Sequence, residues 1–508
     1  MYIPIKVVFS ILLCAGLFAC AGQQSNRVDI GLSENELRAL SALEVTTLIK
    51  SKRITATELV QALLSNAKQY KHLNAYITLD ENRALAEADI VDKGVRAGKA
   101  SGRLLGVPLI IKDNIEVANL PLTIGTPSMQ AIVPGQHAAI VQLLVDEGAI
   151  ILGKANMHEL AVGVTSINMH FGAVGNPYDK DFFAGGSSGG TATAVASRAA
   201  TAGLGTDTGG SVRIPAALTG IVALRPSTGR YPKTGVVPIS SSRDIVGPMA
   251  RTISDLILLD AVIRSVEADY RAADMTSVRL GIPRGYFFEK LEPGVRSLVE
   301  QSLLEIVAAG VELIEVDIAL PEDIEGGIGF PLVSYEIREE LPAYLNSLTG
   351  GQVDFSDLVS AIAAPDVKAI FETLFLGAES TSAEQYKQVK EIMLPKFQAV
   401  YADYFEENKI DAMIFPTTPL TTKRIDDIKK TLELNDASIS TFKTLSRNTA
   451  PGSVAGLPGL TLPIGLSPTD GLPVGIAIDG PVNSDEHLLS IALALEKILA
   501  PMPAPDLK

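Results

Sequence analysis

From Ser33 onward the chain alternates amphipathic stretches with short apolar runs. Leu37, Leu40 and Leu43, and then Leu59, Leu63 and Leu64, mark apolar helix faces between Ser33 and Tyr70. Ser33 and Glu36 form a capping box at the start of this region, and Thr55 is read as opening its second helix. Six apolar runs have the character of strands: Gly106–Ile111, Ala149–Leu152, Val278–Ile282, Ala412–Phe415, Leu457–Ile464 and Pro473–Ile478. Helical patterns fall between many of them, as at Ala138–Glu147, Gly294–Ala309 and Asp485–Leu499. Strands alternating with helices over the whole length predict an α/β fold with a mostly buried sheet. No repeat and no long Pro/Ser linker divides the pattern. A single large domain is therefore expected over residues 34–508, with the helix-rich stretch Asp317–Lys443 walling a pocket.

The first twenty residues follow a different logic. Lys6 precedes an apolar run of 12 residues, Val7–Phe18, and the small residues Ala19-Cys20-Ala21-Gly22 follow it. This is the pattern of a secretory signal over residues 1–19. The run is shorter than the roughly 20 residues that a membrane-spanning helix needs. Leu17-Phe18-Ala19-Cys20 resembles the lipobox of bacterial lipoproteins, which implies cleavage before Cys20 and lipidation of that cysteine. Ala21 after it implies an outer-membrane destination, and the polar residues 20–33 read as a tether. Cleavage after Ala21 is the alternative, leaving a soluble periplasmic protein. Either way export from a bacterial cytoplasm is expected, with membrane contact through the lipid alone.

Composition narrows the function classes. The 508 residues are 47% apolar and 20% charged, with 43 Gly and 29 Pro, which excludes collagen-like, low-complexity and wholly disordered chains. Net charge is −15, deepening to −16 when Lys6 leaves with the signal, and this argues against a nucleic-acid partner. Both cysteines, Cys14 and Cys20, lie in the first twenty residues. The rest of the chain therefore has no disulfide, no Cys nucleophile and no Cys metal ligand.

Glycine concentrates in one segment. Residues 185–220 hold nine glycines, about three times the chain average, in the blocks Gly185-Gly-Ser187-Ser-Gly-Gly190 and Gly205-Thr-Asp207-Thr208-Gly209-Gly210-Ser211. Glycine allows the close approach and unusual backbone angles that N–H groups gathered around an anion require. One such block reads as a tight turn, whereas two with embedded serines point to a site. A serine nucleophile needs a base, and the five histidines (72, 137, 158, 170, 487) fall in no motif. Lys112 closes the apolar run Gly106-Val-Pro-Leu-Ile-Ile-Lys112. Desolvation there would lower its pKa toward a proton-accepting range, although alone it also reads as a strand-end lysine reaching solvent.

These motifs together resemble the amidase signature family of serine hydrolases. The matching residues are Gly-Val-Pro-Leu-Ile-Ile-Lys112-Asp-Asn, the Gly-Gly-Ser187-Ser-Gly-Gly box and Gly-Thr-Asp-Thr-Gly-Gly-Ser211-Val-Arg213-Ile-Pro215-Ala. They occur in family order, 75 residues from Lys112 to Ser187 and 24 more to Ser211, and the likeness runs from about Leu59 to Leu499. It implies a central mixed β-sheet flanked by helices on both sides. It also implies Ser211 as the nucleophile, Ser187 as a bridging serine on a cis peptide, and a neutral Lys112 as the base. Backbone N–H groups of Thr208, Gly209, Gly210 and Ser211 would hold the oxyanion. Asp207 and Arg213 are expected to brace the loop without doing chemistry. Neither a cofactor nor a metal is required.

Other motifs compete with this reading. Gly185-Gly-Ser187-Ser-Gly189 fits the nucleophile elbow of α/β-hydrolases, but only His487 follows at any distance. Ser65-Asn-Ala-Lys68, Ser166-Ile-Asn168 and Lys233-Thr-Gly235 occur in the order of penicillin-binding enzymes, with Ser65 inside a helix and Lys233 between prolines. His158-Glu159 lacks a second His at metal spacing. A non-catalytic binding lipoprotein would have lost one of Lys112, Ser187 and Ser211, and all three are present.

Gly229–Ser240, Arg243–Arg251, Asn448–Ser453 and Gly456–Gly459 resemble the subgroup that includes indoleacetamide and mandelamide hydrolases. This implies a small-molecule carboxylic amide as substrate, with ester, carbamate, aryl acylamide and peptide C-terminal amide as alternatives. The tRNA amidotransferase branch is disfavoured by the export signal. Tyr335, Phe371 and Phe375 are candidates for the acyl pocket, with ordinary core as the competing role.

Overall fold

The computed structural model describes residues 31–427, 431–435 and 437–506. The expected signal, its cleavage site and Cys20 lie outside the described residues. Three short helices open the described chain, Glu34–Ala39, Ala42–Lys50 and Ala56–Gln69, each with a capping box, at Ser33, Ser41 and Thr55. Thr55 thus opens the third helix, not the second. The Ser41 hydroxyl accepts Glu44 N–H and ends what the leucine spacing alone presented as one helix.

The centre is an 11-stranded sheet. Its strands are β1 (Tyr76–Leu79), β2 (Pro108–Lys112), β3 (Ile150–Ala155), β4 (Ala202–Asp207), β5 (Val222–Arg225), β6 (Ile245–Ala250), β7 (Arg279–Ile282), β8 (Glu312–Glu315), β9 (Ala412–Pro416), β10 (Gly459–Leu466) and β11 (Pro473–Asp479). The spatial order is β1-β3-β2-β4-β6-β5-β10-β11-β9-β7-β8. Four neighbouring pairs are parallel (β2 with β3 and β4, β7 with β8 and β9) and the rest antiparallel. Every residue of β2, β3, β4, β5, β6, β9 and β11 is buried. Because successive side chains point to opposite faces, both faces are covered. Helices α1 (Gly189–Ala196) and α2 (Arg213–Thr219) lie against β2, β4, β10 and β11, while α3 (Ile253–Ile263) and α4 (Asp485–Ile498) lie against β5, β6 and β10. The expected α/β fold with a mixed sheet between helices is the fold observed.

All six expected runs contain strands, with ends moved by no more than three residues. Five further strands of this sheet were not expected. Among them, β4 carries Gly203 and Gly205, and β6 carries Gly247 and Pro248. Such residues normally argue against a central strand. The glycines of β4 are there for space: a Cβ on Gly203 would lie 2.6 Å from Ile110, and one on Gly205 2.8 Å from Ser188 Oγ. Residues 330–375 pack their own apolar cluster, including Leu341, Leu345, Leu358 and Phe371, beside Leu122, Met129 and Met157.

Adjacency in the sheet places the chemistry. β2 and β4 run parallel, with Ile111 opposite Leu204, so both strands end on the same side at Lys112 and Asp207. β6 is antiparallel to β4 and begins there, with Ile245 opposite Asp207, which brings in the preceding loop 239–244. Clefts outside the carboxyl ends of parallel strands are the usual ligand site of open α/β sheets.

Candidate active site

Lys112 is fully buried at the end of β2. Its Nζ is hydrogen bonded to Ser187 Oγ at 2.7 Å and donates to Thr206 Oγ1 at 2.8 Å. Asn114 Nδ2 donates to the same Thr206 hydroxyl at 3.1 Å. Burial brings the Lys112 pKa down from 10.5 to about 7, although the charges on Asp207 and Asp244 pull the other way. A lysine so placed is partly neutral at neutral pH and can accept a proton. The Gly186–Ser187 peptide is cis, as the family resemblance implies. Ser187 C=O accepts His158 N–H at 3.1 Å and the Ser166 hydroxyl at 3.3 Å, which fixes the loop from the opposite side.

Ser211 sits between β4 and α2, buried but in the wall of a cavity. Among the described residues its hydroxyl forms no hydrogen bond, so the Lys112–Ser187 link is the part of the expected relay that is already joined. The N–H groups of Thr208, Gly209 and Ser211 are likewise free of partners among the described residues. Gly210 differs from expectation. Its N–H donates to Asp207 Oδ1 at 2.8 Å, so it is spent on the loop and is not available to an oxyanion. Gly210 has φ of +125°, and a Cβ there would meet Thr449 Oγ1 at 2.0 Å, so only glycine closes the turn.

Beneath this loop lies a buried ionic network. Asp207 accepts from Arg213 Nε at 3.2 Å, Arg225 Nη1 at 2.9 Å and Ser453 Oγ at 3.2 Å, besides Gly210 N–H. Burial alone would raise the Asp207 pKa, but the two guanidinium groups and the N–H donor hold it well below the usual carboxylate range. Arg213 also donates to Thr449 C=O at 2.9 Å and Ser453 Oγ at 2.7 Å, and lies 3.5 Å from Asp479. Asp479 is pushed up to about 6 by burial, against the pull of Arg213 and Arg225. Asp207 and Arg213 therefore tie the loop down through hydrogen bonds. Asp244 adds a second brace: it accepts the Thr208 hydroxyl at 2.5 Å and the N–H groups of Ile239 and Ser240 at 2.7 Å.

A cavity opens beside Ser211. Thr208, Gly209 and Ser211 form one wall, and Phe330, Val333, Ile370, Phe375 and Phe442 form an apolar one. Arg243 and Glu325 are its charged lining residues.

Residues 58–489 match the family model described as Amidase. The chain belongs to the amidase family. It is 39% identical over 458 residues to the indoleacetamide hydrolase of Agrobacterium vitis, covering 90% of this chain and 97% of that one. It is 39% identical over 480 residues to the mandelamide hydrolase of Pseudomonas putida, covering 92% of each. The crystal structure of an amidase superposes with a TM-score of 0.80 at 29% identity, over 91% of this chain and all of that one. The protein is thus an enzyme, an amidase acting on carbon–nitrogen bonds.

Within the amidase the sequence-derived residues converge unevenly. Lys112, Ser187, Thr208, Gly209 and Ser211 meet at one end of β2 and β4, and Gly210, Asp207 and Arg213 lie directly beneath. Of the three aromatic candidates only Phe375 lines the cavity; Phe371 is buried in the same apolar cluster as Phe375 without reaching it, and Tyr335 stacks on Tyr386 at 4.2 Å. The rival motifs are used structurally. His487 sits on α4, half-exposed, and pairs with Asp411. Ser65 is exposed on a helix, Lys233 Nζ donates to Ser241 C=O, and Ser166 supports the Ser187 loop. His158 pairs with Asp366, while Glu159 accepts the N–H groups of Ala363 and Ala364. Sequence reasoning missed Thr206, Arg225, Asp244, Ser453 and Asp479. Thr206 was available, since it stands inside the second glycine block; Ser453 and Asp244 stand in the stretches that resemble the hydrolase subgroup, which assigned them no role.

Proposed function

We propose that this amidase hydrolyses primary amides of aromatic carboxylic acids through an acyl-enzyme on Ser211, with Ser187 and Lys112 moving the proton. The observation that carries the reading is the fully buried Lys112, with a pKa near 7, at 2.7 Å from Ser187 Oγ beside the cavity that Ser211 lines. Neutral Lys112 takes the Ser187 proton as Ser187 takes that of Ser211, and Ser211 Oγ attacks the amide carbon. The carbonyl oxygen becomes an oxyanion facing the free N–H groups of Thr208, Gly209 and Ser211. Each such donor is worth about 2.7–4 kcal/mol in the transition state. The proton returns along the same path to the amine, the C–N bond breaks, and ammonia leaves. Water then attacks the ester carbon, gives its proton to the relay, and releases the carboxylate from Ser211.

The acyl group is assigned from the wall of Phe330, Phe375 and Phe442. Burying a phenyl ring there should stabilise the transition state by about 1.5–3 kcal/mol, so phenylacetamide should exceed acetamide in kcat/KM by about 10- to 100-fold. Ammonia release measured at sub-saturating substrate checks this, and equal values would remove the aromatic assignment.

We further infer that the enzyme is exported and anchored through Cys20, on the strength of the leader pattern and Leu17-Phe18-Ala19-Cys20. Radiolabelled palmitate should be incorporated into the full-length chain expressed in a bacterium and lost in Cys20→Ser. Export without label in the parent chain would favour cleavage after Ala21.

A further inference from the structure

We propose that the Arg243–Glu325 pair selects the charge of the acyl group, admitting uncharged groups and rejecting those that carry a carboxylate. The inference rests on the reading of the Ser211 cavity as the acyl site.

Arg243 Nη2 donates to Glu325 Oε1 at 2.6 Å and Nη1 to Oε2 at 3.1 Å, a two-pronged match in which both ends of the guanidinium fork are engaged. Arg243 is 2% exposed and both residues line the cavity. Arg243 Nη2 lies 3.3 Å from where a Cβ on Gly209 would be, so the guanidinium abuts the loop that carries Ser211. Among the described residues Glu325 is the only carboxylate within ion-pair distance of Arg243, and Arg243 Nε is buried without a hydrogen bond.

An unpaired arginine in an apolar cavity would recruit a substrate carboxylate, because that geometry is the best match for its fork. Glu325 already fills the place such a carboxylate would take. A second carboxylate would enter a low-dielectric space facing a like charge, with no free cation to offset its desolvation. An uncharged aryl group meets no such barrier and gains from the phenylalanines opposite. Glu325 therefore acts as a built-in stand-in for the anion that the enzyme excludes.

The backbone that carries Arg243 is held independently of Glu325. Arg243 C=O accepts Arg225 Nη2 at 2.8 Å. The neighbouring Asp244 accepts two backbone N–H groups of its own loop, and Glu336 accepts the Ser240 hydroxyl at 2.5 Å and Ser242 N–H at 3.1 Å. Replacing Glu325 should thus leave this loop in place and the Arg243 guanidinium unneutralised beside the cavity.

The test compares kcat/KM for 4-carboxyphenylacetamide and 4-nitrophenylacetamide, which match in shape and differ in charge. Wild type should favour the nitro compound by at least 100-fold. In Glu325→Gln the preference should narrow by at least 10-fold, chiefly through a lower KM for the carboxylate, and Glu325→Gln/Arg243→Met should lose that gain. A wild-type preference below threefold overturns the proposal whatever the variants do. So does a folded Glu325→Gln, checked by thermal melting, with an unchanged preference. Should that variant not fold, Glu325→Ala provides the same comparison, since it also removes the carboxylate that neutralises Arg243. A failure of the underlying reading looks different: wild type then releases no ammonia from either amide and Ser211 resists a fluorophosphonate, which overturns both.

Discussion

Ser211→Ala is expected to lower kcat/KM for phenylacetamide by about 10⁴- to 10⁶-fold, the size of effect seen when the nucleophile of a catalytic unit is removed. Two serines stand near the lysine, and their surroundings distinguish them. Ser187 is fully buried, with its hydroxyl on Lys112. Ser211 is the one that reaches the cavity, beside N–H groups of Thr208 and Gly209 that have no partner among the described residues. A nucleophile needs access to carbon and a nearby home for the oxyanion, and only Ser211 has both. Ser187→Ala is expected to behave differently: activity falls, yet slow labelling by a fluorophosphonate continues, because the attacking hydroxyl is intact. Labelling with mass-spectrometric location of the adduct checks both variants. An adduct on Ser187 in Ser211→Ala, formed at the wild-type rate, would reverse the assignment.

What was legible in the sequence divides by distance along the chain. The Ser211 loop could be read because everything that shapes it locally is local: glycines where side chains do not fit, and a serine at the end of the block. Lys112 could be read because a charge closing an apolar run marks a buried charge. The same mark stands on Arg225, after Val-Ala-Leu, and on Asp479, after Ile-Ala-Ile. Both are buried partners in the network under the loop, so a charge closing an apolar run is buried at all three positions. Ser453, Asp244 and Glu325 were not legible, since their roles depend on contacts across 36 to 246 residues of sequence. The strands β4 and β6 were hidden by the glycines and proline that tight packing against α1 and a crowded sheet centre demand. Among the aromatic residues, Phe371 and Phe375 are four apart, with ring centroids 5.0 Å from each other in one buried cluster, but only Phe375 also lines the cavity. Helical spacing places both on one face and cannot tell which of the two meets substrate.

Lys112→Met should combine a large loss of activity with altered stability, both governed by pH. Loss of the base should cost about 10⁴-fold in kcat/KM, since without it neither serine can lose its proton in the attack. In wild type the base must be neutral, and its pKa of about 7 means that the neutral fraction rises with pH through that value. Below it kcat/KM should fall tenfold per pH unit, and above about 8 it should level off, because kcat/KM follows ionisation of the free enzyme. The residual activity of Lys112→Met should lose this limb. A limb that persists unchanged in the variant would assign the base elsewhere. Stability carries a second mark of the same burial. Between about 7 and the ordinary lysine value of 10.5 the unfolded chain holds a proton that the folded chain has released, so wild-type stability rises with pH across that window. Below 7 both states are protonated and the cost of burying the ammonium is present in full. Methionine removes that cost, and also the hydrogen bonds to Ser187 and Thr206, which are net worth about 0.5–1.5 kcal/mol each. The melting temperature of the variant relative to wild type should therefore be highest near pH 6 and decline as the pH is raised toward 10. A difference that does not change with pH would mean that Lys112 titrates alike in both states, and the buried neutral lysine on which the catalytic reading depends would be lost with it.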